Sequence, residues 1–465
     1  MVSEFARKLY EKLGMGHVYA KNPNSRERLR AVMAWYPNKK FYKRQSNKSG
    51  KTIISVYPPE STCPIYSHDE WYKDDWMSPG IEIDPQKSVF EQFADLQKIA
   101  PVVTLLSTQQ QNAEYCHDVE GLKNSYIVFD AITGEDIYYS VRMYNCKSCV
   151  DCYFAMESEL LYECVYMFNC YNTRYSYNCK QATDSYFLFD CRNTQNSFMC
   201  SGLRNQQYCI YNQQYTKEQY EEFISKIDFS DFETMEEFKK YFRDTIVGSK
   251  NLEEEWLENC EDVSSSKYLK NSKDCERLFE SFDLRDCFNG FQNAKGKDII
   301  DSYMCNDRIE MCYQCIATGI DSQNVYNCAF TWHSSNMRYC YLTINCQDCF
   351  GCIGLRGKKY HIFNKEYSKE EYDIKVAELI EKMRISGEFG RFFPMNLSPF
   401  KYEDTIAYDL FDADMAVRWG TVTDFCDLNY SKQELEFYEK HGIPKPVEPF
   451  EVRYRKRMEL MGTKF

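Results

Sequence analysis

Histidine is scarce, long apolar runs are missing, and the common nucleotide-binding signatures do not occur. His17, His68, His117, His333, His361 and His441 pair with no CxxC in the HxxxH fashion of a Cys2His2 zinc site. No stretch approaches the roughly 18 apolar residues of a membrane-spanning helix. Val102-Val103-Thr104-Leu105-Leu106 is typical of the runs present. Met1 to Gly16 carries Glu4, Arg7, Lys8, Glu11 and Lys12 without an apolar centre, which argues against a secretory signal. GxGxxG, HExxH and GxxxxGK followed by Ser or Thr are absent, so neither a phosphate-cradling loop nor a zincin helix is indicated.

Cysteine and tyrosine are abundant, at 23 and 38 of 465 residues. An odd Cys total in so long a chain does not suit a disulfide-stapled secreted fold. The expectation is a cytoplasmic protein whose thiols pack or bind metal. Composition is globular, with 43% hydrophobic and 27% charged residues. The formal charge of −13 is uneven: residues 1–60 hold 13 Lys/Arg against 4 Glu, and Arg453, Arg455, Lys456 and Arg457 make the other end basic. Basic ends on an acidic body mark a contact with nucleic acid or another polyanion, or pair with the protein's own acidic surface.

Residues 124–212 repeat a loose unit. Tyr126, Ile137, Tyr153, Cys164, Tyr175, Tyr186, Phe198 and Tyr208 step by 11, 16, 11, 11, 11, 12 and 10. A second array spans about 285–364, with Tyr303, Gln314, Tyr326, Met337 and Tyr360 near the same spacing. Asn124, Asn145, Asn169, Asn172, Asn178, Asn193, Asn196 and Asn205 recur between the apolar positions, and Asn tolerates the left-handed backbone of tight corners. The pattern predicts a mainly β protein, a parallel β-solenoid (β-helix-like) of two Cys/Tyr-rich arrays. A rung of about 22 residues, two units, is expected, with Cys as a small interior filler.

Both arrays end in the same way. Gly202-Leu203-Arg204 through Tyr208, Asn212 and Tyr215 to Tyr220 matches Gly354-Leu355-Arg356 through Tyr360, Asn364 and Tyr367 to Tyr372 at a constant offset of 152. This is an internal duplication. Thr216 with Gln219 and Ser368 with Glu371 are capping boxes, predicting helices over about 217–227 and 369–384 that cap each array. Ser88 with Glu91 opens another, with Val89, Phe90, Phe93 and Leu96 on one face. The expected organisation is a basic N-terminal module (1–87), a helix and linker (88–115), the first array (116–215), a capping helix and acidic helical linker (216–284), the second array (285–367), a capping helix (368–390) and a C-terminal module with a basic tail (391–465).

The termini echo each other. Leu9-Tyr10-Glu11-Lys12 resembles Phe437-Tyr438-Glu439-Lys440, and Arg26-x-Arg28-x-Arg30 resembles Arg453-x-Arg455-x-Arg457. With Lys40-Phe-Tyr-Lys-Arg44, Gly50-Lys-Thr-Ile-Ile-Ser55, Phe90-Glu-Gln-Phe93, Phe392-Phe-Pro-Met-Asn-Leu-Ser-Pro-Phe400 and Gln433-Glu-Leu-Glu-Phe-Tyr438, nearly the whole chain resembles a Cys-rich, zinc-ribbon-ended family of candidate phyla radiation (Patescibacteria) bacteria. In that family a Cys-Pro-x-Cys-Arg element commonly precedes the basic run at each end. Here the counterparts read Asn22-Pro23-Asn24-Ser25-Arg26 and Glu448-Pro449-Phe450-Glu451-Val452-Arg453. The resemblance therefore implies degenerate ribbons without their thiol pairs, and more about architecture than activity.

Cys146, Cys149 and Cys152, and again Cys346, Cys349 and Cys352, form C-x2-C-x2-C groups. Three thiolates so spaced suit zinc or part of an iron–sulfur cluster, with Cys164, Cys170 or Cys340 as a fourth ligand. Alternatively the spacing follows a solenoid corner and the thiols stack inside. His117 beside Cys116 is poorly placed as a base, and His361 stands where the first array has Cys209, which suggests position-filling. Arg26, Arg28, Arg30, Lys39, Lys40, Lys43 and Arg44 interleave with Trp35, Tyr36, Phe41 and Tyr42, a basic and aromatic mixture suited to single-stranded nucleic acid or to an ordinary β-hairpin.

The leading expectation is a non-catalytic scaffold with no cofactor and no membrane contact. Its basic ends, through Arg26, Arg28, Arg30, Lys40, Lys43, Arg44, Arg453, Arg455 and Arg457, meet a protein partner or RNA or DNA. The alternatives are a zinc or iron–sulfur protein and a β-solenoid carbohydrate-active enzyme.

Overall fold

The computed structural model describes residues 41–155, 159–167, 169–248 and 329–405, parts of 29–33 and 430–457, and short pieces at 257–258, 269–270, 296–299, 309–312 and 318–319. The chain is mainly β, its strands parallel and stacked as a β-solenoid. It forms two units. Met1–Thr104 with Glu253–Arg418 holds the second array, and Leu105–Leu252 with Trp419–Phe465 holds the first. The helices are α1 (His68–Tyr72), α2 (Val89–Gln97), α3 (Lys217–Ile224), α4 (Phe232–Tyr241), α5 (Lys369–Ile385) and α6 (Lys432–His441). Among the described residues no helix is long and apolar enough to cross a membrane.

Each coil takes 12 residues, not the expected 22: Lys180 lies beside Arg192 and Arg192 beside Arg204, as Gln347 lies between Ser335 and Lys359. The reason is a left-handed residue at every third position, for example Asp184, Phe187, Asp190, Asn193, Asn196 and Met199. Each turns the chain, so a side is three residues long and four sides close a coil. The expected Asn corners Asn124, Asn169, Asn172, Asn178, Asn193, Asn196 and Asn205 all have positive φ, between 39° and 54°. Several stack as side-chain ladders, with Asn172 donating to Asp184 (2.7 Å), Asn193 to Asn205 (2.8 Å) and Asn336 to Asp348 (2.9 Å).

The residue after each corner points inward, as at Cys149, Cys152, Leu161, Cys164, Met167 and Cys170. The interior chemistry explains why this position favours Cys, Ser and Thr. The thiol of Cys152 donates to the carbonyl of Val150 (3.3 Å), Cys164 to Tyr162 (3.3 Å), Ser140 to Tyr138 (2.8 Å) and Ser185 to Thr183 (2.8 Å), always two residues back. The same atoms accept from the inward amide one coil later: Cys152 N–H donates to Ser140 Oγ (3.1 Å), Leu188 N–H to Ser176 Oγ (3.1 Å) and Ala182 N–H to Cys170 Sγ (3.3 Å). Small donor–acceptor side chains thus satisfy backbone groups in the dry core.

The first array begins earlier than residue 116. Ser107–Thr108 and Gln111–Glu114 already pair in parallel with the extended stretch His117–Val150, because Gln109, Asn112 and Tyr115 supply left-handed corners there. His117 Nδ1 accepts the Leu106 amide (2.9 Å), so the histidine ties down this first coil. His361 fills an interior place beside Cys349, 5% exposed.

Both arrays end with the same bonds. Asn212 accepts from Ser201 N–H (2.8 Å) and donates to Ser201 O (2.9 Å); Asn364 does likewise with Ile353 (2.9 and 2.8 Å). Each Asn side chain imitates the backbone of a further coil. A short antiparallel strand follows, Gln213–Gln214 or Lys365–Glu366, and then the predicted capping box. Tyr220 of α3 packs on Tyr208 and Tyr372 of α5 on Tyr360, so both helices rest on the last coil.

In the unit of the second array, Tyr42–Gln45 and Thr52–Ser55 form an antiparallel hairpin, and Ile65–Tyr66 pairs in parallel with Val102–Val103. The predicted apolar face of α2 is buried, with Phe90 against Tyr339 and Phe93 against Phe393. Arg356 donates to the carbonyls of Tyr72 (2.9 Å) and Lys73 (3.3 Å) at the end of α1 and lies over the Trp71 ring.

Candidate functional site

In the unit of the first array, one column of corner residues collects most of the buried charge. Tyr139, Asp151, Glu163, Tyr175 and Phe187 follow at 12-residue steps, with φ between 48° and 59°. All five are buried. Two covers lie on this column. The C-terminal segment stacks Phe450 on Tyr139 (5.7 Å) and sets two arginines on Asp151. Helix α4 and the π-turn Phe242–Val247 set Lys239 on Glu163 and place Phe238 and Phe242 edge-on to Phe187 (5.9 and 5.6 Å).

The Asp151 carboxylate is fully enclosed. Arg453 Nε donates to one oxygen at 3.0 Å and Arg457 Nη2 to the other at 2.9 Å. Arg453 also donates to Glu448 O (2.5 Å) and lies 4.8 Å over the Tyr139 ring. Burial alone would lower the Arg453 guanidinium, but the charge and hydrogen bond of Asp151, with Tyr438 and Tyr162 beside it, together outweigh this and raise it. Lys239 Nζ meets Glu163 at 2.7 Å and Glu236 at 3.0 Å and sits 5.1 Å over the Tyr175 ring. Its burial is likewise outweighed by the two carboxylates, so its value is raised. Burial, then the Glu163 charge, pushes the Tyr175 phenol well up, which keeps it a neutral donor. Between the covers a cleft of about 560 Å³ opens over Glu163 and Tyr175.

The expected site residues are distributed differently. Cys149, Cys152, Cys346, Cys349 and Cys352 are all interior, at most 2% exposed; the Cys146 side chain lies outside the described residues. Their x2 spacing is the three-residue side of the coil. The Cys349 thiol adjoins those of Cys346 and Cys352, and Cys352 adjoins Cys340. Burial pushes the Cys352 thiol well up, and holds Cys116 and Cys200 at about 12. Such thiols stay protonated at neutral pH. Among the described residues no group of three or more His, Cys, Asp or Glu is disposed to hold a metal ion.

Of the basic residues, Lys43 is exposed on its hairpin. Arg44 is turned inward instead, donating to Pro58 O (2.7 Å) and Asn47 Oδ1 (3.2 Å). Arg453 and Arg457 each donate to the enclosed Asp151 and are only 8% and 3% exposed, so they are not displayed on the outer surface where a phosphate backbone would lie. Arg26, Arg28, Arg30, Lys40 and Arg455 lie outside the described residues. Asp151, Glu163 and Lys239 were not singled out by sequence reasoning, and Tyr175 stood out only as a mark of the repeat. The 12-residue register that aligns Asp151, Glu163 and Tyr175 was the signal that could have found them.

No family model matches the chain, and no curated protein matches it. Among solved structures, a protein of Desulfovibrio desulfuricans G20 provisionally named an acetyltransferase aligns at 10% identity over 53% of this chain, with a TM-score of 0.12. The alignment spans 63% of that protein's length.

Proposed function

We propose that the chain is a non-catalytic scaffold or interaction protein, a rigid β-solenoid body whose basic ends contact a protein or nucleic-acid partner. One observation carries this reading. Interior Ser and Cys such as Ser140, Cys152 and Cys170 spend their polar atoms on the backbone of their own and the next coil, so the first array is solid there and offers its outer walls. On one wall Lys123 pairs with Glu135 (2.5 Å) and Lys147 with Glu159 (3.7 Å), a solvated, self-paired column. Arg453, Arg457 and Arg44 drop out of the contact surface, which leaves Arg26, Arg28, Arg30, Lys40, Lys43 and Arg455. The test is fluorescence anisotropy with a single-stranded RNA at low salt. Binding that weakens steeply with salt and is lost in Arg26→Ala/Arg28→Ala/Arg30→Ala supports a nucleic-acid partner. No binding at low salt removes it and leaves a protein partner.

A second reading, zinc or iron–sulfur on Cys346, Cys349 and Cys352 with Cys340, has against it that no group of three or more His, Cys, Asp or Glu among the described residues is disposed to hold a metal ion. Elemental analysis of protein purified without oxygen decides it: stoichiometric metal lost in Cys349→Ser supports it, and its absence returns the thiols to packing. The carbohydrate-active reading gains nothing from Asp151 and Glu163, since both are neutralised by cations.

A further inference from the structure

The cleft over Glu163 and Tyr175 plays no part in the scaffold reading, yet it has the features of a ligand site. At about 560 Å³ it falls within the roughly 300–1,000 Å³ of small-molecule pockets. Its floor and one side are aromatic: Tyr162, Tyr175 and Phe187 from the array, and Phe242 stacked on Tyr177 at 5.7 Å. Seven Lys and Arg line it against four Glu. Adding Asp151 behind the arginines and the buried Glu434, which accepts from Tyr438 (3.1 Å), leaves the balance positive.

The arginines give the sharper clue. Arg453 and Arg457, 8% and 3% exposed, both line the cleft and share a single carboxylate. Arg453 Nη2 and Arg457 Nε are buried and have no hydrogen-bond partner. Buried guanidinium nitrogens left in this state are costly unless an acceptor arrives. Phosphate supplies several acceptors at once and suits the planar guanidinium fork.

We propose that this cleft binds a small aromatic phosphate of nucleoside-monophosphate size. Its ring lies among Tyr162, Tyr175, Tyr177 and Phe242, and its phosphate takes the free nitrogens of Arg453 and Arg457, with Arg243 and Lys240 at the rim. The proposal is independent of what the basic N-terminal residues contact.

The test is isothermal titration of the full chain with adenosine monophosphate, cytidine monophosphate and phenyl phosphate, and with adenosine and inorganic phosphate as half-ligands. At least one ring-bearing phosphate should bind saturably, with adenosine and inorganic phosphate each about tenfold weaker or more, since each loses one half of the recognition. Lys240→Ala/Arg243→Ala, two exposed positions, should weaken that ligand about tenfold without lowering the melting temperature. Tyr177→Leu should weaken ring-bearing ligands and spare inorganic phosphate. Absence of saturable binding by all three ring-bearing phosphates overturns the proposal. So does inorganic phosphate binding as tightly as they do, or binding that ignores the Lys240/Arg243 substitution.

Discussion

Asp151 and Glu163 occupy the same corner on successive coils, and each is neutralised by a different cover: Asp151 by Arg453 and Arg457 of the C-terminal segment, Glu163 by Lys239 of α4. One strip of the first array therefore holds both covers through charge. An enclosed ion pair does not by itself guarantee net stability, but removing one partner leaves the others buried and unpaired. Asp151→Ala is expected to destabilise this unit by about 3–5 kcal/mol. The apolar replacement of all three, Asp151→Leu/Arg453→Met/Arg457→Met, should recover most of that loss. Denaturant unfolding of both variants checks the pair. A near-wild-type Asp151→Ala would show that the carboxylate does not anchor the segment.

The thiols should be inert in the native protein. Only the thiolate attacks disulfide reagents, and burial holds Cys116 and Cys200 at about 12. Cys63, pushed up to about 11 by burial, behaves alike. Titration with a chromogenic disulfide at pH 8 should label almost none of the described cysteines, all of them buried, until denaturant is added. Rapid labelling of several thiols in the folded protein would contradict the interior placement.

Much of this fold was legible in the chain. Asn at the corners, the shared array ends and all three capping boxes at Ser88, Thr216 and Ser368 were local signals and could be read locally. The coil length was not, because the marks followed were large. Tyr175 and Tyr186 sit at different points of the coil, so their spacing is 11 while the true register is 12. The small residues keep the period: Cys152 and Cys164 are 12 apart, as are Cys179 and Cys191. The clamp at Asp151 was illegible for another reason. Its arginines arrive from 302 and 306 residues away, and a basic tail looks the same whether it meets a carboxylate of its own chain or a phosphate of another.

Acid should loosen the unit of the second array through Glu70. Burial opposes ionisation there, but hydroxyls of Ser46, Ser49 and Ser67 and the Ser67 amide (2.9 Å) hold its carboxyl down at about 2. A folded value below the ordinary one contributes stability that is present above the ordinary value and lost as pH falls through the folded one. Thermal unfolding should therefore show a loss between about pH 4.5 and about pH 2 that is smaller in Glu70→Gln. An unchanged pH profile in that variant would remove Glu70 from the account.

Two glycines of the second array separate backbone strain from crowding. Gly354 (φ +65°) and Gly357 (φ +59°) are both left-handed. A Cβ on Gly354 would run into the carbonyl oxygen of Pro101, whereas one on Gly357 meets nothing within 4 Å. Gly357→Ala should cost only the left-handed penalty, about 1–2 kcal/mol. Gly354→Ala should cost distinctly more, because a backbone carbonyl must move. Equal melting temperatures for the two would mean that the segment at Pro101 yields freely.

The interior rule makes the most specific claim about the fold. Ser140 is fully buried, donates to Tyr138 O at 2.8 Å and accepts from Cys152 N–H at 3.1 Å. Ser140→Ala fits the space but removes the hydroxyl that accepts the Cys152 amide, while Tyr138 O keeps the Asp151 N–H (3.1 Å), for a loss of about 1–3 kcal/mol. Ser140→Cys keeps a donor and an acceptor at a place where Cys152 and Cys164 already follow in the same column, so it should lie within about 1 kcal/mol of wild type. Chemical denaturation of the two variants ranks them. If alanine is tolerated as well as cysteine, interior thiols and hydroxyls serve only as small fillers, and the abundance of cysteine in this chain needs another cause.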